Sequence, residues 1–485
     1  MKYPLKNKLN ISSPEAKSPY APKGASGDYP LRGKTKVLNY SAKGDKKFHL
    51  IIFGCQMNMS DAERLATVLK NLGYEETKNE SKADLVGVIA CSVRQAAVDR
   101  IYGKLREWQI VKEKKPLVTL LSGCVLPADR KKLADKFDLF IDINHLENLS
   151  KDLQNIQPEE KLSLPSFFSI DPSYYSDYRA YVPIMTGCNK FCTYCAVPHT
   201  RGRETSRPSK DIIAEVKDLL KKNYKEIILL GQNVNSYGLD IKDARLDSRS
   251  ARQEIKFPEL LKKIDKLGDN FWLKFLTSHP YDMSDDLIAV MAKAKNLTRY
   301  LHLPVQSGSD VILKKMNRHY TIAHYKKLIK KIRTSIPDMA ISTDIIVGFP
   351  TETAKQFKET LDLVKEVNYN TAYFAQYSPR VGTAAAKMFK DDVAKTEKKK
   401  RWQELNKLIG LQSLTFNKKL IGQTSLVLID QNKKIGQTYL NLGKLANYTT
   451  VKITTKKPIK IGAFHNIKIT KALNWGVEAN LNDKK

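Results

Sequence analysis

The chain has 485 residues, 42% hydrophobic and 28% charged, with 83 Lys and Arg against 51 Asp and Glu and a formal net charge of +32. This length and apolar content suit two to four packed domains, while the lack of any run of about 20 apolar residues and of an apolar stretch in the first residues sets the expectation of no spanning helix, no secretory signal and a cytoplasmic protein. The basic excess draws polyanions through counterion release, so RNA or DNA is the natural partner and a lysine-rich solvated surface the plain alternative.

Residues 1–46, rich in Lys, Ser, Pro and Gly, read as a disordered basic arm. Residues 47–150 form a first domain in which three short β-branched runs each end in a small residue and a cysteine: FHLIIFGC at Cys55, DLVGVIAC at Cys91 and PLVTLLSGC at Cys124. Helical patterns separate them. The first is DAERLATVLKNLGY, which Ser60 and Glu63 are expected to open as a capping box and which stops near Gly73. Strands alternating with helices predict a parallel α/β sheet, and place these cysteines together at the carboxyl ends of its strands, where such sheets hold ligands.

Residues 151–178 read as a linker. Over 179–394, the segments YVPIMTG, EIILLGQNVN, WLKFLTS, RYLHLPVQ, AISTDIIVGFP and YNTAYFAQYSP alternate with helical stretches and predict a partial (β/α) barrel with its chemistry at the strand carboxyl ends. The polar insert GLDIKDARLDSRSARQEIKF reads as a surface loop. Residues 395–416 form a basic helical connection, and the short alternating runs of 417–482 predict a small antiparallel β-barrel.

All six cysteines fall into two sets of three, with none left over. In a reducing compartment clustered thiols hold metal more often than they form disulfides. Cys188, Cys192 and Cys195, spaced Cys-x3-Cys-x2-Cys on one loop, can hold three corners of a [4Fe–4S] cube and leave one iron open. With His199 four residues on, a Cys3His zinc site is the local alternative.

That triplet after the first barrel strand resembles the signature of radical S-adenosylmethionine (SAM) enzymes. FGCQMNMSD, CSVR and Gly123-Cys124 resemble the N-terminal domain of the methylthiotransferases. TGCNKFCTYCAVPHTRGRETSRP, LLGQNVNSYG, TSHP, LHLPVQSGSD, ISTDIIVGFP and QYSPR resemble the MiaB-type branch, the tRNA 2-methylthio-N6-isopentenyladenosine synthases. The resemblance runs from about residue 48 to 480, and its C-terminal part resembles the RNA-binding TRAM barrel.

The resemblance implies an N-terminal methylthiotransferase domain, a partial radical SAM barrel and a TRAM-like barrel, and two [4Fe–4S] clusters. Cys188, Cys192 and Cys195 would hold the one that binds and cleaves SAM; Cys55, Cys91 and Cys124 would hold the one that carries the sulfur to be transferred. The implied product is a 2-methylthio group at C2 of N6-isopentenyladenosine beside the anticodon. A C2–H bond is not acidic enough for a general base, so a cofactor-borne radical is the physical route. The implied partners are the tRNA anticodon stem-loop and an electron donor such as flavodoxin or ferredoxin. The sulfur donor stays unnamed, and a monomer is expected. No general base is named, and no catalytic residue is assigned beyond the cluster ligands.

Gln232, Asn233, Ser278 and Asp344, at or near strand ends, are placed to line the SAM pocket, with buried polar satisfaction as the alternative for each. Asn58 either approaches the second cluster or substrate or caps a loop, Arg94 either meets RNA or caps a helix, and His279 and His302 read as structural. The chain departs from the family in Thr351, where a Gly usually follows Gly-Phe-Pro, in Ala90, where a Thr is usual, and in the arm before Lys47. Methylthiolation of threonylcarbamoyl-adenosine or of a ribosomal-protein aspartate is the alternative within the same chemistry. A non-catalytic iron–sulfur or zinc RNA-binding protein, which would not cleave SAM, is the alternative outside it.

Overall fold

The computed structural model describes residues 46–92, 95–149, 153, 167–240 and 255–482. The basic arm up to residue 45, Arg94, most of the expected linker and residues 241–254 of the polar insert lie outside the described residues. Strands β1 (Lys47–Phe53), β2 (Glu75–Glu76), β3 (Leu85–Cys91), β4 (Val118–Cys124) and β5 (Leu139–Phe140) form a parallel sheet in the order β2-β1-β3-β4-β5. β3 is buried on both faces: Leu85 and Ile89 pack with Leu65 and Leu69 of α1 (Gln56–Asn71), and Val86 and Val88 with Ile101 and Trp108 of α2 (Gln95–Lys112). Coverage by helices on both sides is why its sequence is a continuous apolar run rather than an alternating one.

Helix α1 starts one turn earlier than its sequence suggests. Its N-cap is Cys55, and the capping box is closed by Asn58, whose Oδ1 accepts the Cys55 N–H at 3.4 Å. Ser60 and Glu63 therefore lie inside the helix. Ser60 Oγ donates to the Tyr181 carbonyl at 3.3 Å, and Glu63 Oε1 accepts the Tyr175 N–H at 3.1 Å. The polar face of α1 is thus buried against the next domain instead of facing water, and its polar residues Asn58, Ser60, Asp61, Glu63 and Arg64 are all at most 1% exposed.

That next domain has strands β6 (Arg179–Pro183), β7 (Met185–Thr186), β8 (Thr205–Ser206), β9 (Glu226–Leu230), β10 (Trp272–Phe275), β11 (Tyr300–His302), β12 (Ala340–Val347) and β13 (Thr371–Gln376). β6-β9-β10 and β11-β12-β13 are parallel sheets, joined through the Leu273–Leu297 bridge. Six parallel strands thus make the expected partial barrel, one large apolar core fills it, and the Met57 side chain of α1 packs on Ile228 and Leu230. β7 and β8 form a two-residue antiparallel ribbon that pinches the ends of the cysteine loop together.

Helix Lys395–Lys418 leads to β14 (Thr424–Ile435), β15 (Thr438–Leu445), β16 (Thr450–Thr455), β17 (Phe464–Leu473) and β18 (Gly476–Leu481), a closed barrel in the order β14-β15-β16-β18-β17. It is mixed rather than wholly antiparallel, because β18 returns beside β16 in the parallel sense to close the ring. This barrel lies at the amino ends of the central strands. Trp272, first residue of β10, meets Phe464 edge-on at 5.0 Å, and Tyr300, first of β11, stacks on Tyr448 at 4.6 Å. The opposite mouth, where the cysteines lie, is left to the N-terminal domain. No described helix is long and apolar enough to cross a membrane.

Candidate active site

The loop from Gly187 to Glu204 carries Cys188, Cys192 and Cys195 and is held at several points. Gly187, at φ 80°, has no room for a Cβ, which would lie 1.9 Å from the Arg203 carbonyl oxygen. Its N–H donates to Gln232 Oε1 at 2.6 Å. Within the loop, the Cys195 N–H donates to the Cys192 carbonyl at 2.9 Å, and the Thr193 N–H to the Met316 carbonyl at 3.0 Å. Burial, and then the neighbouring Cys192, pushes the Cys195 thiol up to about 12. Burial likewise pushes the Cys188 thiol up to about 11. Such thiols stay protonated until a cation draws them to thiolates.

The other three cysteines meet by register. Cys91 and Cys124 are Cα partners on β3 and β4, and Phe53 is paired with Ala90, which sets Cys55 just beyond the end of β1. A hydrogen bond from Cys91 and then the Arg201 charge pull the Cys124 thiol down to about 6. Cys55 is exposed, yet the protein around its sulfur pushes its thiol up, with Cys124 adding to the effect. Gly123, at φ 101°, is required beside them, because a Cβ there would lie 2.4 Å from the Ala90 carbonyl oxygen.

The donor set of each triad is thiol only, the soft set that suits iron–sulfur clusters. Among the described residues no group of three or more His, Cys, Asp and Glu is gathered to hold a single metal ion, and burial, then the Lys387 charge, pushes the His199 ring down. A cube spreads its thiolates over separate irons, so this donor set fits a cluster in each triad.

The four expected SAM-pocket residues separate into two pairs. Gln232 and Asn233 lie past the end of β9 and serve the cysteine loop. Gln232 accepts from Gly187, and Asn233 Nδ2 donates at 2.7 Å to Asp282, which takes Lys190 Nζ at 2.7 Å through its other oxygen. Asn233 Oδ1 is buried with no hydrogen-bond partner. Ser278 and Asp344 converge on His302: Ser278 Oγ donates to its carbonyl, and Asp344 Oδ2 lies 3.4 Å from its Nε2. His279 caps a short turn by accepting the Tyr281 N–H at 3.2 Å, and burial pushes its ring down to about 2. Strain gathers at this mouth too: Phe191, inside the cysteine loop, and Thr277, Gln306 and Thr351, which follow β10, β11 and β12, have φ of 49°, 67°, 73° and 69°.

Three arginines that sequence reasoning passed over organise the site. Arg318 donates to Cys192 Sγ at 3.4 Å and to the Pro304 carbonyl at 2.8 Å. Arg201 donates to Cys124 Sγ at 3.0 Å. Arg380, after β13, reaches Asp129 at 2.5 Å, Gln95 Oε1 at 2.5 Å and the Ser92 carbonyl. In a chain with 83 Lys and Arg, nothing local distinguishes a buried arginine from a surface one.

The Radical SAM superfamily model matches residues 182–364, and the model described as uncharacterized protein family UPF0004 matches residues 47–143. Membership of the first brings a [4Fe–4S] cluster and SAM. Among solved structures, the radical S-adenosylmethionine methyltransferase TsrM from Kitasatospora setae aligns over 80% of this chain and 79% of its own, with 11% identity and a TM-score of 0.52, a likeness of fold alone. A tRNA-2-methylthio-N(6)-dimethylallyladenosine synthase from Clostridium botulinum (strain Langeland) is 41% identical over 89% of this chain and 96% of its own length. Another from Carboxydothermus hydrogenoformans is 38% identical over 90% of this chain and 99% of its own. Near-full-length identity at this level, on two cysteine triads with this geometry, means that the chain belongs to the tRNA-2-methylthio-N(6)-dimethylallyladenosine synthase family.

Proposed function

We propose that this chain transfers a methylthio group to C2 of N6-dimethylallyladenosine in tRNA, with Cys188, Cys192 and Cys195 holding the SAM-cleaving [4Fe–4S] cluster and Cys55, Cys91 and Cys124 a second, sulfur-carrying one. The observation that carries the reading is that two all-cysteine triads lie at strand carboxyl ends of two adjoining domains, bridged by Arg201 from the loop of one to Cys124 of the other. When bound, the first cluster and SAM supply the radical that an unactivated C–H bond requires. The chain's own work is placement. Gln232 and the Asn233–Asp282–Lys190 series hold the cysteine loop, and the free Asn233 Oδ1 is a buried acceptor left for a ligand donor. Ser278 and Asp344 orient His302 in the same mouth. A splayed anticodon-loop base suits a cleft between two domains, since single-stranded bases leave the stack cheaply. The mixed barrel, at the far mouth, and the basic surface would hold the phosphates. A reducing cytoplasmic setting fits thiols that must remain free for metal, and an electron donor such as flavodoxin or ferredoxin would reduce the first cluster of a monomeric enzyme. Nucleoside analysis of tRNA from a host lacking its own enzyme, complemented with this chain, tests the proposal. The 2-methylthio derivative of N6-dimethylallyladenosine should return, and its absence with soluble, iron-loaded protein present would overturn the assignment.

A further inference from the structure

Arg201 stands six residues beyond Cys195, on the segment that carries the first triad, yet its guanidinium is directed wholly to the second. Nε donates to Cys124 Sγ at 3.0 Å, Nη1 to Asp61 Oδ1 at 3.1 Å and Nη2 to Asp61 Oδ2. Asp61 Oδ2 also accepts from Asn58 Nδ2 at 3.2 Å, and Asn58 Oδ1 accepts the Cys55 N–H at 3.4 Å and lies 3.7 Å from Cys55 Sγ. A continuous polar series therefore runs Cys55–Asn58–Asp61–Arg201–Cys124, with Asn58 and Asp61 0% and Arg201 3% exposed.

A buried ion pair is poor evidence for stability alone, since apolar residues of like volume usually serve as well. An apolar residue could not, however, present a charged N–H to a cysteine sulfur. Hydrogen bonds to the sulfurs and nearby charge are what set an iron–sulfur cluster's potential. A guanidinium at Cys124 stabilises the more negative, reduced cluster, and the Asp61 carboxylate opposes it.

We propose that Arg201 is a positioning residue that raises the reduction potential of the cluster on Cys55, Cys91 and Cys124, with Asp61 as its counter-charge and Asn58 carrying the contact on to Cys55. The inference rests on the reading of that triad as a cluster site. Arg318 is the corresponding donor at the first triad, on Cys192, and provides the internal control.

The test uses the full chain with Cys188→Ala, Cys192→Ala and Cys195→Ala, so that only the second triad can hold iron. After anaerobic reconstitution, iron content and the midpoint potential are read by redox titration followed by electron paramagnetic resonance. The background should hold about four irons per chain. Adding Arg201→Gln should move the midpoint negative, Asp61→Asn should move it positive, and Arg318→Gln should leave it unchanged. If Arg201→Gln does not load iron, Arg201→Lys takes its place, because it keeps the charge but loses the fork; a midpoint unmoved in both Arg201→Lys and Asp61→Asn overturns the inference. So does a full cluster with an unshifted midpoint in Arg201→Gln, or a shift of the same sign in the arginine and aspartate variants. A background that holds no iron overturns the cluster reading itself, and is recognised before any Arg201 variant is made.

Discussion

Arg380 meets Asp129 at 2.5 Å, joining the carboxyl end of the last barrel strand to the helix that follows Cys124. The same guanidinium bonds the carbonyl of Ser92, the residue after Cys91, so one side chain grips the segments after two cysteines of the second triad. Both partners are largely buried, with side chains 11% and 14% exposed.

Truncating Arg380 leaves Asp129 and the Ser92 carbonyl without this partner at a domain boundary. Arg380→Ala should weaken docking of the N-terminal domain by about 3 kcal/mol, the usual cost of orphaning one member of an enclosed pair. Limited proteolysis and urea titration would read it as earlier release of the N-terminal domain. A digestion pattern like that of the parent would contradict this role of Arg380 at the domain boundary.

The two triads should separate by function. Cys188→Ala should abolish cleavage of SAM to methionine and 5′-deoxyadenosine, whereas Cys91→Ala should retain it and lose methylthio transfer. Methylthio product from Cys91→Ala, assayed on tRNA in vitro, would refute the assignment of the second cluster.

Thr351 holds φ 69°, the left-handed region that a β-branched residue enters at a cost of about 1–2 kcal/mol. The turn persists because the Thr351 N–H donates to Asp392 Oδ1 at 2.7 Å and its hydroxyl takes Lys315 Nζ. Thr351→Gly removes the strain, gives up the exposed hydroxyl contact and loosens the unfolded chain, for a net gain of about 0.5–1 kcal/mol. Thermal unfolding should show a higher midpoint for the variant, and a lower one would mean that the Lys315 contact outweighs the strain.

Glu63 is 1% exposed, and burial, with repulsion from Glu215, raises its carboxyl to about 7. The folded chain therefore binds a proton that the unfolded chain has already released between about 4.5 and 7, and stability falls as pH rises through that window. Glu63→Gln, permanently neutral, should be more stable than the parent at pH 8 by on the order of 3 kcal/mol, with the difference shrinking as the pH is lowered below 7. Urea titrations at pH 6 and pH 8 decide it: an equal difference at both would remove Glu63 as the titrating group.

The order of domains, the strands and both cysteine triads follow from local pattern. A β-branched run ending in a small residue and a cysteine needs only its own neighbours to become a strand end, and Cys-x3-Cys-x2-Cys is a short-range spacing. Ala90 stays buried beneath Gly123 with no distortion, so the small residue there is compatible with the same strand end. What the chain did not disclose is set by long-range contact. The start of α1 moved because Asn58 reaches back to Cys55, and its polar stripe turned inward because a second domain supplies Tyr181, Tyr175 and Arg201 as partners. A polar helix face reads as solvated until its partners are known. The barrel is mixed because closing a five-stranded ring brought β18 alongside β16, a pairing that no alternation of residues encodes. Arg201, Arg318 and Arg380 are ordinary cations in the sequence, and only the tertiary structure, by removing water around them and placing a sulfur or carboxylate within reach, makes them parts of the site.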